Sequence, residues 1–365
     1  MNQSTQHNVR VELAERSYDI HVGTGNLSSV GDALSTLGPL RHAVVITDTN
    51  VDEYASQVAE SVAEVGVNVD VLTIEPGEKS KSIAAAAALW EEVLATGADR
   101  KTVIIAVGGG VVGDLAGFIA ATFTRGLTFV QVPTTLLAQV DSSVGGKTGI
   151  NLSSAKNMVG AFWQPATVLI DTDTLTTLPE RDYLAGLAEV VKYGVIQDAE
   201  FFEYLEQHIF AIKQRDSDTL QYVISRCCQL KAEVVQADER ETSGRRAILN
   251  YGHTFAHALE AASGYGELLH GEAVSIGMTC ASRLAETMGR VDLEFTTRQH
   301  ALLQAIGLPL RVPPEISIDS LMDLMMHDKK VEYGKLRFIL PDRLGNVELV
   351  GDVDPDLVTK AWKAF

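Results

Sequence analysis

Hydrophobic and polar positions follow one pattern in the first half of the chain and another in the second. Short apolar runs occur in the first half at residues 9–13, 18–22, 43–47, 69–74, 102–107 and 128–132. The first two runs predict a short hairpin, and the others predict buried strands, since they are brief, rich in β-branched residues and separated by helical stretches such as residues 82–96. Strands that alternate with helices are typical of a parallel sheet with crossover helices.

Beyond about residue 180 the apolar positions take a helical period. They predict helices around residues 183–209, 217–238, 247–263, 271–289 and 294–306, with little strand. Leu178-Pro179 marks a junction, because the residue before a proline is disfavoured in the α region. We therefore expect an α/β Rossmann-like domain that binds a dinucleotide (residues 1–180) and a mostly α-helical domain that binds metal and substrate (residues 181–365).

Composition agrees with two globular domains in 365 residues, of which 46% are hydrophobic. Lys and Arg number 30 against 48 Asp and Glu, a net charge of −18. Nucleic acid and anionic lipid require a basic footprint, so neither is an expected partner. An anionic substrate would need a local basic cluster.

The three cysteines, Cys227, Cys228 and Cys280, have no CxxC spacing and are expected to be buried thiols in a reducing compartment. The first eight residues lack the apolar core of a signal peptide, and no apolar run approaches the roughly 20 residues that span a bilayer. These features predict a cytoplasmic protein.

A glycine-rich turn follows the strand predicted at 102–107. Residues 108–113, Gly-Gly-Gly-Val-Val-Gly, fit G-x-G-x-x-G and open a helix. Glycine lets the backbone approach a pyrophosphate, which the helix N-terminus attracts. The pattern predicts a dinucleotide site, although such turns also serve tight packing.

The acidic residue that usually binds the ribose lies on a different strand from the one expected. No acid follows about 20 residues after the glycines, but Asp48 ends an earlier strand. Asp48 is a candidate for the ribose, and the alternative is that it caps the next helix.

Three histidines and a glutamate predict a metal site. His253 and His257 share a helical face at i and i+4, His270 follows 13 residues later, and Glu189 lies on an apolar helix three residues before Lys192. Three N/O ligands with an open fourth position suit a catalytic zinc. Spacing leaves open which two of the three histidines bind.

A second glycine-rich segment, residues 141–151, carries Asp141 and Lys147 and is followed by Lys156 and Asn157. Its Gly-Lys-Thr is not a P-loop, because Asp141 stands where that motif needs glycine and no strand precedes it. Its lysines favour a phosphorylated substrate.

Long motifs in both halves resemble those of the sugar phosphate cyclases. They are residues 108–118, 132–148, 188–194, 231–235, 249–257 and 270–274, and the resemblance runs in order from about residue 40 to residue 330. It implies a Rossmann-like domain, a helical domain, a homodimer, NAD, and a zinc or cobalt ion. Within the family, the residues match members that convert 3-deoxy-arabino-heptulosonate 7-phosphate to 3-dehydroquinate and phosphate in the shikimate pathway. That reaction is a lyase reaction in which NAD takes a hydride and returns it around a β-elimination, before an aldol closure.

The resemblance also implies a role for individual residues. The metal ligands would be Glu189, His253 and His270. The NAD contacts would be Asp48, Asn50, Pro76, Gly77, Glu78, Lys79, Ser80, Lys81, Gly109, Gly110, Val111, Val112, Gly113, Asp114, Thr134, Thr135, Lys147, Lys156, Thr174, Leu175, Thr176 and Thr177. The substrate phosphate would meet Lys147, Asn157 and, from a second subunit, Arg125. The carboxylate would meet Lys231, Arg246 and Asn250, and the polar network would add Asp141, Lys192, Glu241 and His257. One of Lys329 and Lys330 would close over the substrate.

Three other functions remain open from sequence. A sister cyclase that makes a valiolone or a deoxy-inosose would share the fold and NAD but would not need the carboxylate-binding residues. A metal-dependent polyol dehydrogenase would release NADH. A non-catalytic nucleotide-binding sensor would not need the metal ligands and the phosphate cluster together.

Overall fold

A computed structural model of the protein describes residues 7–153, 155–264, 267–327 and 336–363. The described residues form two compact units: unit 1 contains those within 1–178 and 217–240, and unit 2 contains those within 179–216 and 241–365. The first boundary falls at the predicted junction, where Pro179 is the N-cap residue of a helix. Lys329 and Lys330 lie outside the described residues.

The strands, in chain order, are β1 (His7–Val11), β2 (Tyr18–Gly23), β3 (His42–Asp48), β4 (Asn68–Ile74), β5 (Val103–Gly108), β6 (Thr128–Pro133), β7 (Lys147–Leu152), β8 (Ala155–Phe162), β9 (Thr167–Asp171), β10 (Phe338–Arg343) and β11 (Asn346–Val350). The α-helices are α1 (Val30–Ser35), α2 (Asp52–Glu64), α3 (Ile83–Ala95), α4 (Gly110–Thr122), α5 (Glu180–Gln197), α6 (Ala199–Lys213), α7 (Ser217–Ala237), α8 (His253–Ala262), α9 (His270–Thr287), α10 (Leu293–Ile306), α11 (Ile318–His327) and α12 (Pro355–Lys363).

Unit 1 is built on a seven-stranded sheet in the order β1-β2-β9-β6-β5-β3-β4. The strands pair in parallel except β1 and β2, which form the predicted antiparallel hairpin. Alternate residues point to opposite faces, so that Val44 and Ile46 pack with residues of α3 and α4, whereas Ala43 and Val45 pack with residues of α1 and α2. The predicted α/β class is confirmed.

Residues 217–240 belong to unit 1, whereas the sequence predicted one continuous helical domain over residues 181–365. α7 packs on β1 and β2. The Glu12 amide donates to Gln236 Oε1 at 2.6 Å, and Arg16 pairs with Glu239 at 2.7 Å. A helical period shows that α7 has an apolar face but does not say which unit covers that face.

Unit 2 is mostly helical, and two predicted helices are divided. The stretch predicted over 183–209 contains α5 and α6, which meet at Asp198, where the backbone is extended and the side chain caps α6. The stretch predicted over 247–263 is a 3₁₀ turn at Arg245–Asn250 followed by α8, which begins after Gly252 in a left-handed conformation.

Two hairpins were not predicted. β7 and β8 pair where a glycine-rich loop was expected, and β10 and β11 pair in unit 2. In the turn between β10 and β11, the Gly345 amide donates a hydrogen bond to the carbonyl of Val195 at 3.0 Å, which connects this hairpin to α5. Both hairpins are short and pack against helices that lie elsewhere in the sequence. The hydrophobic pattern of the strands alone therefore gave little indication of them. Among the described helices, none is both long and apolar enough to cross a membrane.

Candidate active site

The sheet of unit 1 has a topological switch point between β3 and β5. The chain leaves β3 toward β4 on one side and leaves β5 toward β6 on the other, with α2 and α4 on opposite faces. Open α/β sheets bind ligands in the crevice at the carboxyl ends of such strands. Asp48 ends β3 and Gly108 ends β5, so the two predicted dinucleotide signals meet at this crevice.

The glycine-rich turn opens α4 with the uncapped N-terminus expected of an anion site. Gly109 is the N-cap residue and has no side chain to satisfy the first N–H groups of this 13-residue helix. The glycines are also required by packing. A Cβ on Gly108 would lie 2.6 Å from Val112 Cγ2, and one on Gly113 would lie 2.9 Å from Gln131 Oε1.

Asp48 is buried at the end of β3, with 9% of its surface exposed. Its Oδ1 accepts a hydrogen bond from the Asn50 amide at 2.9 Å, and the N-cap residue of α2 is Val51. The helix-cap alternative is therefore wrong. Burial raises the pKa of Asp48, against the opposing effect of the Asn50 amide. The carboxyl group is oriented by its own turn and stands beside the glycine-rich turn.

A buried lysine joins three of the predicted residues. Lys81 is 4% exposed, and its Nζ lies 2.6 Å from both Asp114 Oδ2 and Asn157 Oδ1. Burial raises the pKa of Asp114, although the Lys81 ammonium acts in the opposite direction. This cluster brings together residues expected to contact NAD and a residue expected to contact the substrate phosphate.

Asn151 supports this cluster and was not among the predicted site residues. Its Nδ2 donates to Glu78 Oε1 at 2.7 Å, and its Oδ1 accepts from the Asn157 amide at 2.8 Å. Asn157 itself has a left-handed backbone, with φ of 54°. Asn151 is separated from Glu78 by 73 positions, so spacing gave no signal for it.

The predicted threonines differ in their surroundings. Thr134 is 2% exposed, and its hydroxyl has no hydrogen-bond partner among the described residues. Thr135 Oγ1 accepts from the Ala138 amide at 3.2 Å. Thr174 donates to the Asp171 carbonyl at 2.7 Å and accepts from Gln139 Nε2 at 3.0 Å. The side chain of Thr174 is thus already engaged within unit 1.

The two basic residues predicted for the phosphate lie before and after β6 in the chain. Arg125 is exposed and has a left-handed φ of 71°, directly after Thr124 at 48°. The ion pairs among the described residues do not include Arg125. Lys147 is exposed at the start of β7.

Lys231 and Asp141 form a buried pair in unit 1. Lys231 is 6% exposed, and its Nζ donates to Asp141 Oδ1 at 2.8 Å and to the Asp141 carbonyl at 2.6 Å. Asp141 lies in a π-helical turn, Ala138–Ser142, against which α7 packs. The pair joins a residue expected at the substrate carboxylate to the polar network.

In unit 2 the predicted metal ligands come together on three helices. Glu189 Oε1 lies 3.6 Å from His253 Nε2 and 3.7 Å from His270 Nε2, and the three ligand atoms are all within 4.8 Å of one another. Every residue of α5 from 185 to 196 is buried, and Glu189 is 1% exposed. Neither Glu189 oxygen accepts a hydrogen bond of acceptable geometry among the described residues, although the Lys192 ammonium lies against Oε2. Two neutral imidazoles and a buried carboxylate fit a zinc or cobalt ion.

In each histidine the contact made by Nδ1 favours the tautomer with its proton on Nδ1, which is the one that a metal bound at Nε2 needs. His253 Nδ1 lies 3.1 Å from the carbonyl oxygen of Tyr251, which can only accept, so Nδ1 carries the proton. His270 Nδ1 lies 3.4 Å from Glu260 Oε1. In a neutral ring, a proton on Nδ1 leaves the lone pair on Nε2, the atom that lies 3.6 Å from Glu189 Oε1 in His253 and 3.7 Å in His270.

His257 lies outside this group of ligand atoms. Its ring centroid is 5.8 Å from that of His253, and the group comprises only Glu189, His253 and His270 among the described residues. The position of His257 beside the ligands suits the polar network that the family resemblance implied.

Two glycines set the spacing of the helices that carry the ligands. A Cβ on Gly271, next to His270, would lie 2.5 Å from the carbonyl carbon of Ala185 on α5. Gly252, next to His253, has φ of 79°, and its Cβ would lie 2.8 Å from the Met278 amide nitrogen. His270 and His253 are thus each adjacent to a glycine at which another backbone passes too close for a Cβ.

The electrostatic surroundings of the two histidines differ. Burial, with the Lys192 ammonium, holds the pKa of His253 well below its usual value. Burial also lowers the pKa of His270, but Glu260 and Glu189 together outweigh it and raise that pKa.

The remaining predicted residues of unit 2 lie on the 3₁₀ turn before α8. Arg246 is buried at 3% exposure, whereas Arg245 is exposed, and Arg246 Nε lies 3.6 Å from Glu241 Oε1. This difference in burial favours Arg246 as the functional arginine. Asn250 ends the same turn.

Two family profiles match most of the chain. The profile of the 3-dehydroquinate synthase N-terminal domain matches residues 71–185, and that of the C-terminal domain matches residues 186–331. The 3-dehydroquinate synthase of Rhodopirellula baltica is 52% identical over 360 residues, which cover 97% of this chain and 96% of that relative.

Solved structures of sister enzymes share the fold. The crystal structure of 2-deoxy-scyllo-inosose synthase complexed with carbaglucose-6-phosphate, NAD⁺ and Co²⁺ has a TM-score of 0.89, with 29% identity over 98% of this chain and all (100%) of that chain. The 2-epi-5-epi-valiolone synthase of Streptomyces hygroscopicus, with NAD⁺ and Zn²⁺ bound, has a TM-score of 0.87, with 30% identity over 97% of this chain and 98% of that chain.

Proposed function

We propose, since this chain belongs to the 3-dehydroquinate synthase family, that it converts 3-deoxy-arabino-heptulosonate 7-phosphate to 3-dehydroquinate and phosphate, with NAD and a zinc or cobalt ion as cofactors. The protein is then a carbon–oxygen lyase of the shikimate pathway. NAD is neither consumed nor produced in the overall reaction.

The observation that carries this proposal is the geometry of Glu189, His253 and His270. Their ligand atoms lie within 4.8 Å of one another, and Glu189 is buried without other hydrogen bonds among the described residues. The Lys192 ammonium already lies against Oε2 of this carboxylate, whereas Oε1 faces the two histidine Nε2 atoms at 3.6 and 3.7 Å and accepts no hydrogen bond among the described residues, so Oε1 is the oxygen that a metal ion would join to the two rings. When bound, the metal supplies a Lewis acid for a substrate oxygen, and NAD supplies a reversible hydride acceptor.

The residues of unit 1 orient the cofactor. The uncapped N-terminus of α4 favours the pyrophosphate, and the carboxyl group of Asp48 suits a ribose hydroxyl. The ammonium of Lys81 holds Asp114 and Asn157 in fixed positions at 2.6 Å. These contacts reduce the number of orientations that the cofactor can adopt.

The charged residues bind the two ends of the substrate. Lys147 and Asn157, with Arg125 of a second subunit, bind the phosphate and hold it for departure. Lys231, Arg246 and Asn250 bind the carboxylate, while Asp141 fixes the ammonium of Lys231 at 2.8 Å. Lys192, Glu241 and His257 complete the polar network.

The wider setting of the protein is also part of this proposal. Arg125 has no ion pair among the described residues of its own chain and stands on a left-handed turn, which supports a role toward a second copy in a homodimer. The three buried thiols support a reducing compartment such as the cytoplasm.

A sister cyclase activity is the second candidate, because the solved structures that share the fold include an inosose synthase and a valiolone synthase. The sugar phosphates expected as substrates for those two activities have no carboxylate, unlike the heptulosonate phosphate. The buried Arg246 and the Lys231–Asp141 pair therefore favour the acid substrate.

The test is to incubate the pure protein with the heptulosonate phosphate, catalytic NAD and zinc, and to measure phosphate and NADH. Release of phosphate in large excess over NAD, without net NADH, is expected. Net NADH would identify a polyol dehydrogenase. Turnover of a carboxylate-free sugar phosphate instead would identify a sister cyclase, and no turnover of any sugar phosphate would leave a nucleotide sensor.

A further inference from the structure

One face of α8 carries a third ionisable residue besides its two histidines. His253, His257 and Glu260 are spaced i, i+4 and i+7, which places them on one side of the helix. Glu260 is not among the residues that sequence motifs assign to the site. Its side chain is 13% exposed.

The ring of His270 lies between two carboxylates from different helices. Its Nε2 is 3.7 Å from Glu189 Oε1 on α5, and its Nδ1 is 3.4 Å from Glu260 Oε1 on α8. One carboxylate belongs to the proposed metal site and the other stands behind the ring. This is the arrangement in which an outer carboxylate orients a metal-binding histidine.

The two histidine ligands are held in different ways. His253 is oriented by the Tyr251 carbonyl two residues away, a contact that the backbone turn itself provides. The Nδ1 contact of His270, the first residue of α9, is with a side chain 10 positions earlier in the sequence, on another helix. A side-chain substitution can therefore remove the orienting contact of His270 but not that of His253.

We propose that Glu260 is a positioning residue for the metal site: it accepts the Nδ1 proton of His270 and so presents Nε2 to the metal. This inference rests on the proposed metal site. The negative charge of the Glu260 carboxylate also makes Nε2 of His270 a stronger electron-pair donor to the metal than a neutral hydrogen-bond acceptor at Nδ1 would. Loss of such a partner lowers metal affinity by roughly 10- to 100-fold.

Two variants separate the charge of Glu260 from its hydrogen bond. Glu260→Gln retains an acceptor of the same shape without the charge, and Glu260→Ala removes both. The control is Glu348→Gln, the same substitution at a more exposed carboxylate, which breaks an ion pair with Arg290 at 2.8 Å elsewhere in unit 2. We expect zinc affinity to fall in the order wild type and Glu348→Gln, then Glu260→Gln, then Glu260→Ala.

The measurement is the zinc dissociation constant of the full-length protein, obtained by competition with a chromophoric chelator at pH 7.5. The visible absorption of the Co²⁺ form, which reports ligand geometry, is a second readout, and the thermal midpoint of the metal-free form is a third. A weaker zinc affinity and an altered cobalt spectrum, with a metal-free midpoint close to wild type, support the proposal.

Two other outcomes overturn it in distinguishable ways. If the wild type binds zinc tightly and both Glu260 variants bind it equally well, Glu260 has no positioning role and the proposed function stands. If the wild type itself binds neither zinc nor cobalt, the metal site fails and the inference fails with it. A Glu260→Ala variant that does not fold leaves the comparison of Glu260→Gln with Glu348→Gln to decide.

Discussion

At the scale of single residues, three histidines compete for two ligand positions. His253 and His270 direct Nε2 atoms to within 3.7 Å of Glu189, whereas His257 packs against the edge of the His253 ring. Each of the two ligands presents Nε2 to the Glu189 carboxylate while its Nδ1 contacts another oxygen.

We expect His270→Ala to lower zinc affinity by more than the roughly 10- to 100-fold that loss of an outer partner costs, because it removes a ligand. Phosphate release should be abolished. His257→Ala should keep zinc affinity close to wild type while it lowers turnover. Chelator competition and a phosphate assay check both variants, with circular dichroism to show that each is folded. Equal zinc loss in the two variants would contradict the assignment.

The same pair predicts a pH dependence of metal binding. The pKa of His270 is raised by Glu260 and Glu189 over the effect of burial, and that of His253 is held low by burial. A metal must therefore displace a proton from His270 once the pH falls below this raised pKa, whereas His253 stays neutral. Zinc affinity should fall by about tenfold per pH unit on the acid side of that pKa, equivalent to one proton. A calorimetric titration between pH 5.5 and 8.5 measures this slope, and a flat profile would be inconsistent with it.

At the scale of elements, the site depends on close approaches between helices. α9 begins against α5 at Gly271 and crosses α8 near Gly252, and each contact is adjacent to a ligand. Interiors are too densely packed to absorb an added methyl group at such a point without movement of a helix.

Gly271→Ala should destabilise the protein by about 1–3 kcal/mol and weaken metal binding, because the new Cβ would overlap the Ala185 carbonyl and push the start of α9 away from α5. Gly351→Ala is the matched control, since its added Cβ would meet only Arg337 Cγ at 4.0 Å. Denaturant unfolding and zinc titration of both variants measure the difference. A Gly271→Ala protein as stable as Gly351→Ala would show that this approach can relax.

At the scale of the whole molecule, the chain divides into units that are not contiguous in sequence. α7 belongs with residues 1–178, where it buries an apolar face from Leu220 to Val235 on that unit. A fragment cut at the predicted boundary would expose the surface that this helix covers.

We therefore expect residues 1–180 alone to lack a cooperative thermal transition, and residues 1–180 joined by a flexible linker to residues 217–240 to regain one. Circular dichroism melting curves and amide chemical-shift dispersion distinguish the two fragments. Addition of NAD should raise the midpoint of the longer fragment only. A cooperative transition of equal midpoint in both fragments would mean that α7 is dispensable for unit 1.

Sequence alone determined the chemistry of each segment. Period and composition predicted most strands of the parallel sheet, and the turn at residues 108–113 predicted a dinucleotide site from local features. These properties are encoded within one element, since a strand or helix pattern states which face of that element is apolar. The family resemblance then implied the residue roles that spacing left open.

Only the tertiary structure decided which elements meet. The cluster of Lys81, Asp114 and Asn157, the return of α7 to unit 1, and the contact of Glu260 with His270 all join positions on different elements. Such contacts depend on helix crossings and on glycine-sized gaps between backbones. A spacing of residues along the chain carries no record of those distances, so the second carboxylate at His270 became visible only when α8 and α9 were in place.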